Sequence, residues 1–98
     1  MRQSDLKKII SYWGEKKQKI KAVEELSELQ KEICKNMNDQ HYDPKHLIEE
    51  IADVQVMISQ LMIMENISPD AVEYVAKKKI KRTLDIISAL ERGNDERL

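Results

Sequence analysis

The chain has 98 residues, 41% hydrophobic and 36% charged, with a formal net charge of -1. That length implies one domain, that balance excludes a disordered chain, and near-neutrality argues against a general attraction to nucleic-acid polymers. Scarce Gly and Pro, two of each, with no Phe and no alternating β-branched runs, point to an all-α class.

The first helix is expected over Ser4 to Trp13. Ser4 can serve as N-cap, and Leu6, Ile9, Ile10 and Trp13 make an apolar stripe. Gly14 breaks it. The second helix runs from about Lys17 to Asn36, with Ala22, Leu26, Leu29 and Ile33 as its core stripe. The polar stretch Asn36 to Asp43 reads as a loop. Asp43-Pro44 then starts a third helix, with an N-cap Asp and Pro at the first helical position, running to about Asn66. Leu47, Ile51, Val54, Ile58 and Leu61 form its core stripe. From Val56 to Met64 it is apolar nearly all round, so it must be covered on more than one side. A chain this short has little else to cover it, which predicts a helical bundle completed by homo-oligomerisation. Ser68-Pro69-Asp70 starts a fourth helix to about Arg92, with Val72, Val75, Ala76, Ile80, Leu84, Ile87 and Leu90 inward. Gly93 can end it, leaving residues 94–98 as a frayed tail of a single domain spanning 1–98.

The single Cys34 excludes an internal disulfide and suits a reducing cytoplasm. The N-terminus has no signal-like apolar core, and no apolar run is long enough to span a bilayer, so no membrane partner is expected.

The chemistry concentrates in two acidic pairs, Glu25-x-x-Glu28 and Glu50-x-x-Asp53. At i, i+3 spacing both carboxylates of a pair leave one helix face. The short loop makes the second and third helices an antiparallel hairpin. At ~1.5 Å per residue, Glu28 and Glu50 then lie roughly 12 and 9 Å from its end, with Glu25 and Asp53 a turn further on. Both pairs sit beside apolar stripes rather than opposite them. Carboxylates buried there without partners are costly, and a divalent cation removes that cost. All-oxygen ligation favours Mg²⁺, with Mn²⁺ as substitute, and Mg²⁺ commonly also binds substrate phosphates. The bland alternative is two solvated acidic faces. A di-iron site would need Glu-x-x-His pairs, and the chain has none.

The segments Trp13-Gly14-x-x-x-Gln18, Glu24-Glu25-Leu26-Ser27-Glu28-Leu29, Glu49-Glu50-Ile51-Ala52-Asp53-Val54 and Lys79-Ile80-Lys81-Arg82 together resemble the MazG-like nucleoside triphosphate pyrophosphohydrolases, the all-α NTP pyrophosphatase superfamily. The resemblance covers about residues 12 to 90. It implies an oligomeric helical bundle and Mg²⁺-dependent cleavage of a nucleotide between its α- and β-phosphates, giving a monophosphate and pyrophosphate. It makes Glu25, Glu28, Glu50 and Asp53 metal ligands. Glu24 or one of the ligands would help orient the attacking water, and Lys79 and Arg82 would hold phosphate oxygens. Trp13 and Gln18 would lie near the base or sugar. Phosphoribosyl-ATP pyrophosphohydrolases share the acidic signature, so that substrate is an alternative. A non-enzymatic oligomerisation or adaptor module is a second one, motivated by the apolar half of the third helix.

Read from the residues alone, Trp13 is first a core plug and second a stacking surface for a base. Lys79 and Arg82, one turn apart, can clamp a phosphate or belong to a solvated basic face. The lysines from Lys16 to Lys21 read first as solubilising, with one of them reaching phosphate as the alternative. His46 shares a face with Glu50 and reads as a helix-start residue before an outer partner of the metal site. His41 has no evident task. Cys34 reads as a small buried hydrophobe, and Met57, Met62 and Met64 as core or interface.

Overall fold

The computed structural model describes residues 1–38 and 43–97, with side chains to residue 94. The described residues hold four α-helices and no strand: α1 (Gln3–Trp13), α2 (Glu15–Met37), α3 (Pro44–Met64) and α4 (Pro69–Arg97). Residues 39–42, His41 among them, and Leu98 lie outside the described residues, and so does half of the expected loop. None of the described helices is long and apolar enough to cross a membrane.

Local chemistry explains most of the boundaries. Asp43 caps α3, its Oδ1 accepting from the Lys45 backbone N–H at 2.9 Å, with Pro44 following. Ser68 does the same for α4, its Oγ accepting from the Ala71 N–H at 3.1 Å. Gly14 separates α1 from α2 at φ 91° and ψ 150°, a conformation open to glycine and strained for any other residue. Its N–H closes α1 on the Ile10 carbonyl. Asn66, at φ 55°, turns the chain out of α3, a role its short polar side chain tolerates.

Three boundary expectations are corrected. Ser4 is not the N-cap: α1 starts at Gln3, and the Arg2 carbonyl takes the first N–H groups with no side-chain cap. Helix α2 begins directly after Gly14. Gly93 does not end α4, which continues to Arg97; its φ is not positive, and a helix tolerates one such glycine.

Contacts divide the chain into two compact units, Met1–Asn66 and Ile67–Leu98. In the first, α2 packs along α3, and α1 lies against both. Cross-helix pairs define the register: Gln18 meets Gln60, Glu25 meets Asp53, and Glu32 meets His46. Each step of seven residues forward on α2 matches seven back on α3. That is antiparallel packing with a heptad-like seam.

The seam is rotated from the stripes expected on apolarity. On α2 the inward row is Gln18, Ala22, Glu25, Leu29 and Glu32, while Leu26 and Ile33 are exposed. On α3 the buried residues are Val54, Met57 and Gln60, and Ile51, Ile58 and Leu61 are exposed. Leu6 and Ile10 of α1 complete a small core with Ala22, Val54 and Met57. Cys34 is exposed rather than buried. The second unit contains α4 alone. Its apolar row, Val72, Val75, Ile80, Leu84, Ile87 and Leu90, is exposed rather than inward, because a lone helix offers its own face nothing to pack against.

Candidate functional site

The register puts the middle of α2 beside the middle of α3, and carboxylates occupy that level. Glu25, Glu50 and Asp53 each direct an oxygen into one spot, with those oxygens all within 4.8 Å of one another. Glu25 and Glu50 are half-buried and Asp53 is exposed. Three negative groups this close repel one another. Burial first, and the Asp53 charge second, push the Glu25 carboxyl above its ordinary range, with nearby Lys21 partly opposing. Glu50 is raised in the same way by burial, then by Asp53, Glu28, Glu32 and Glu49. Glu50 Oε2 is fully buried and has no hydrogen-bond partner, alone in this among side-chain oxygens and nitrogens of the described residues. A close carboxylate trio in which one member also holds an orphaned buried oxygen suits a hard divalent cation bound through oxygen.

The cluster borders a cleft of about 760 Å³ in the first unit. Ile9 and Trp13 from the end of α1 form one rim. Lys17, Gln18, Lys21, Glu24 and Glu25 line it from α2, and Asp53, Met57 and Gln60 from α3. The volume lies within the ordinary range for small-molecule sites. One end is anionic around Glu25 and Asp53. The other is aromatic, and Lys17 Nζ stands 5.7 Å from the centre of the Trp13 ring.

The expected site residues are therefore brought together unevenly. Glu25, Glu50 and Asp53 form the cluster, and Trp13, Gln18 and Glu24 line the adjoining cleft. Glu28 is outside the cluster: its side chain is half-exposed and meets Lys31 at 3.5 Å, although its charge still bears on Glu50. Trp13 is not a core plug. It is about half-exposed and makes an edge-to-face contact with Tyr12, centroids 4.8 Å apart. Lys79 and Arg82 belong to the second unit, where they lie one turn apart on the exposed surface of α4. His46 is exposed and sits 3.9 Å from Glu32.

Four residues of this region stand out only in the structure. Lys17 and Lys21, first a solubilising pair by sequence, both line the cleft, and Lys21 Nζ is 3.8 Å from Glu25. For Lys21 the signal is spacing, one turn before Glu25 on the same helix. Glu32 lies seven residues beyond Glu25 on the same seam and is largely covered. Gln60 is the most buried side chain, at 1% exposure, and bonds Gln18 across the seam.

No family model matches the chain, and neither a curated protein nor a solved structure matches it.

Proposed function

We propose that the protein is a divalent-cation-dependent nucleotide pyrophosphohydrolase. The observation that carries this reading is the carboxylate trio of Glu25, Glu50 and Asp53, of which Glu25 and Asp53 line a cleft of small-molecule size and Glu50 holds an orphaned buried oxygen. The resemblance to MazG-like enzymes rests on the same residues. Glu25, Glu50 and Asp53 would hold Mg²⁺ or Mn²⁺, with Glu28 as a fourth carboxylate one turn away. The ion would supply charge neutralisation for the phosphates and Lewis acidity toward a water.

The chain's own groups supply the rest. Lys17 and Lys21 face the cleft as cations and hold phosphate oxygens there, drawing the substrate against an otherwise acidic wall. The resemblance gives Lys79 and Arg82 the same task. Glu24, on the cleft wall beside Glu25, orients the attacking water. Trp13 offers a partly exposed ring face on which a base can stack. The products would be a nucleoside monophosphate and pyrophosphate. Phosphoribosyl-ATP would meet the same groups, so it belongs in the substrate panel.

The exposed apolar row of α4 and the exposed Ile51, Ile58 and Leu61 of α3 support assembly into a homo-oligomer. The proposed setting is the cytoplasm, which suits a lone exposed thiol at Cys34. Those same faces favour a second reading, a non-enzymatic oligomerisation module, which leaves the acidic trio unexplained. The deciding experiment is pyrophosphate release from a panel of ribo- and deoxyribonucleoside triphosphates and phosphoribosyl-ATP, with Mg²⁺ and with chelator. The enzyme reading expects Mg²⁺-dependent release of pyrophosphate, not of phosphate. No release from any member of the panel would favour the module.

A further inference from the structure

Gln18 and Gln60 are the buried polar side chains of the described residues, at 4% and 1% exposure, and both line the cleft. A buried amide is costly unless its hydrogen bonds are made, and a pair of leucines would fill the seam at lower cost. Their arrangement has a direction. Gln60 Nε2 faces Met57 Sδ at 3.8 Å, and a thioether sulfur can only accept. The Gln60 oxygen is therefore turned the other way, where it accepts from Gln18 Nε2 at 2.8 Å. With its nitrogen committed to Gln60, Gln18 is left with Oε1, which takes part in no hydrogen bond among the described residues and is not among the buried orphaned atoms. The relay from sulfur to amide to amide leaves an acceptor on the wall of the cleft.

We propose that Gln18 reads the nucleobase through this oxygen and that Gln60, aligned by Met57, is its positioning residue. The site then favours adenine and cytosine, with an amino group at purine C6 or pyrimidine C4, over the bases with an oxo group there. An amino group donates to Gln18 Oε1, whereas an oxo group sets acceptor against acceptor and leaves both unpaired. Trp13, at the rim of the same cleft, stacks any base and does not discriminate. This inference rests on the nucleotide reading of the cleft and narrows its substrate class.

The test compares two pairs that differ at the amino or oxo position, ATP with ITP and CTP with UTP. Affinity is measured by calorimetry with Mg²⁺, and pyrophosphate release is measured in parallel. The full-length protein should bind the amino member of each pair roughly tenfold more tightly or better. Met57→Leu and Gln60→Leu, both compatible with an apolar seam, should keep helicity by circular dichroism. Each should narrow the preference to within about threefold, because Gln18 can then present either end of its amide. Equal affinity within both pairs overturns the inference while leaving the hydrolase reading standing. A wild-type preference that persists unchanged in both variants overturns the positioning role. Amino-selective binding without pyrophosphate release upholds the inference and removes the reaction. Failure to bind any of the four nucleotides overturns both.

Discussion

The first unit and α4 carry apolar patterns of similar strength and use them differently. In Met1–Asn66 three helices share a small core, and the polar groups of the seam meet across it: Gln18 with Gln60, Glu25 with Asp53, Glu32 with His46. In Ile67–Leu98 one helix presents Val72, Ile80, Leu84 and Leu90 with nothing in its own unit to cover them. Apolar periodicity shows which face of a helix seeks cover and not what covers it. The difference also locates the chemistry. Carboxylates and amides inside a seam are costly to folding and call for a functional reason, whereas charges along an isolated helix call for none.

The largest expected effect separates folding from function within the first unit. Asp53→Asn removes a cluster carboxylate while keeping its shape. Turnover of the responsive nucleotide should fall by more than about 100-fold, since even outer partners of metal ligands commonly cost 10–100-fold. Circular dichroism should show the helices intact. Asp85→Asn on α4, which removes only a surface pair with Lys81, should leave turnover unchanged.

A core comparison between the units comes next. Leu6→Ala opens a hole in the small core and should cost about 2–5 kcal/mol in denaturant unfolding. Leu84→Ala, at concentrations where the chain is monomeric, should cost less than about 0.5 kcal/mol, because the side chain is exposed. At higher concentration the same change should weaken self-association in sedimentation if α4 is an interface. Equal costs at low concentration would mean that α4 is already covered in the monomer.

Lys21→Met is expected to raise KM for the triphosphate about tenfold, the loss of one charge-assisted contact, with a smaller change in kcat. An unchanged KM would return Lys21 to the solubilising role that its lysine-rich segment suggests.

The smallest effect is in pH dependence. Glu25 and Glu50 have carboxyls raised above the ordinary value of 4.5 in the folded chain. The folded state therefore binds these protons more tightly than the unfolded state. The stability they contribute is fully present below about pH 4.5 and is lost as pH rises through their raised values. Without metal, Glu50→Gln should melt above wild type at pH 7, and the gap should close toward pH 4.5. Mg²⁺ at pH 7 should raise the wild-type melting temperature and not that of the variant.

Much of this was legible in the chain. Asp43-Pro44 and Ser68-Pro69 marked helix starts because their caps are local hydrogen bonds, and Gly14 marked a break because only backbone freedom is needed there. The matched heights of Glu25 with Asp53 followed from a short connection and a fixed rise per residue. The rotation of the seam was not legible. Apolar counting turns α2 toward Leu26 and Ile33, since it does not count Gln18 and Glu32 as inward residues and puts Glu25 only at the edge of the stripe. The inward row breaks that rule where the candidate site lies, as functional positions often do. Gln60 was hidden for the same reason. Glu28 stands at ligand spacing from Glu25, and spacing alone cannot show that its side chain meets Lys31.

The central claim is that side chains from α2 and α3 jointly hold a divalent cation. It is tested most directly by titrating the metal-free protein with Mn²⁺ and following free ion by electron paramagnetic resonance. The expected result is saturable binding by wild type that is lost in Asp53→Asn and Glu50→Gln, kept in Asp85→Asn, and displaced by excess Mg²⁺. Identical Mn²⁺ binding by wild type and Asp53→Asn, or none by either, would contradict the account.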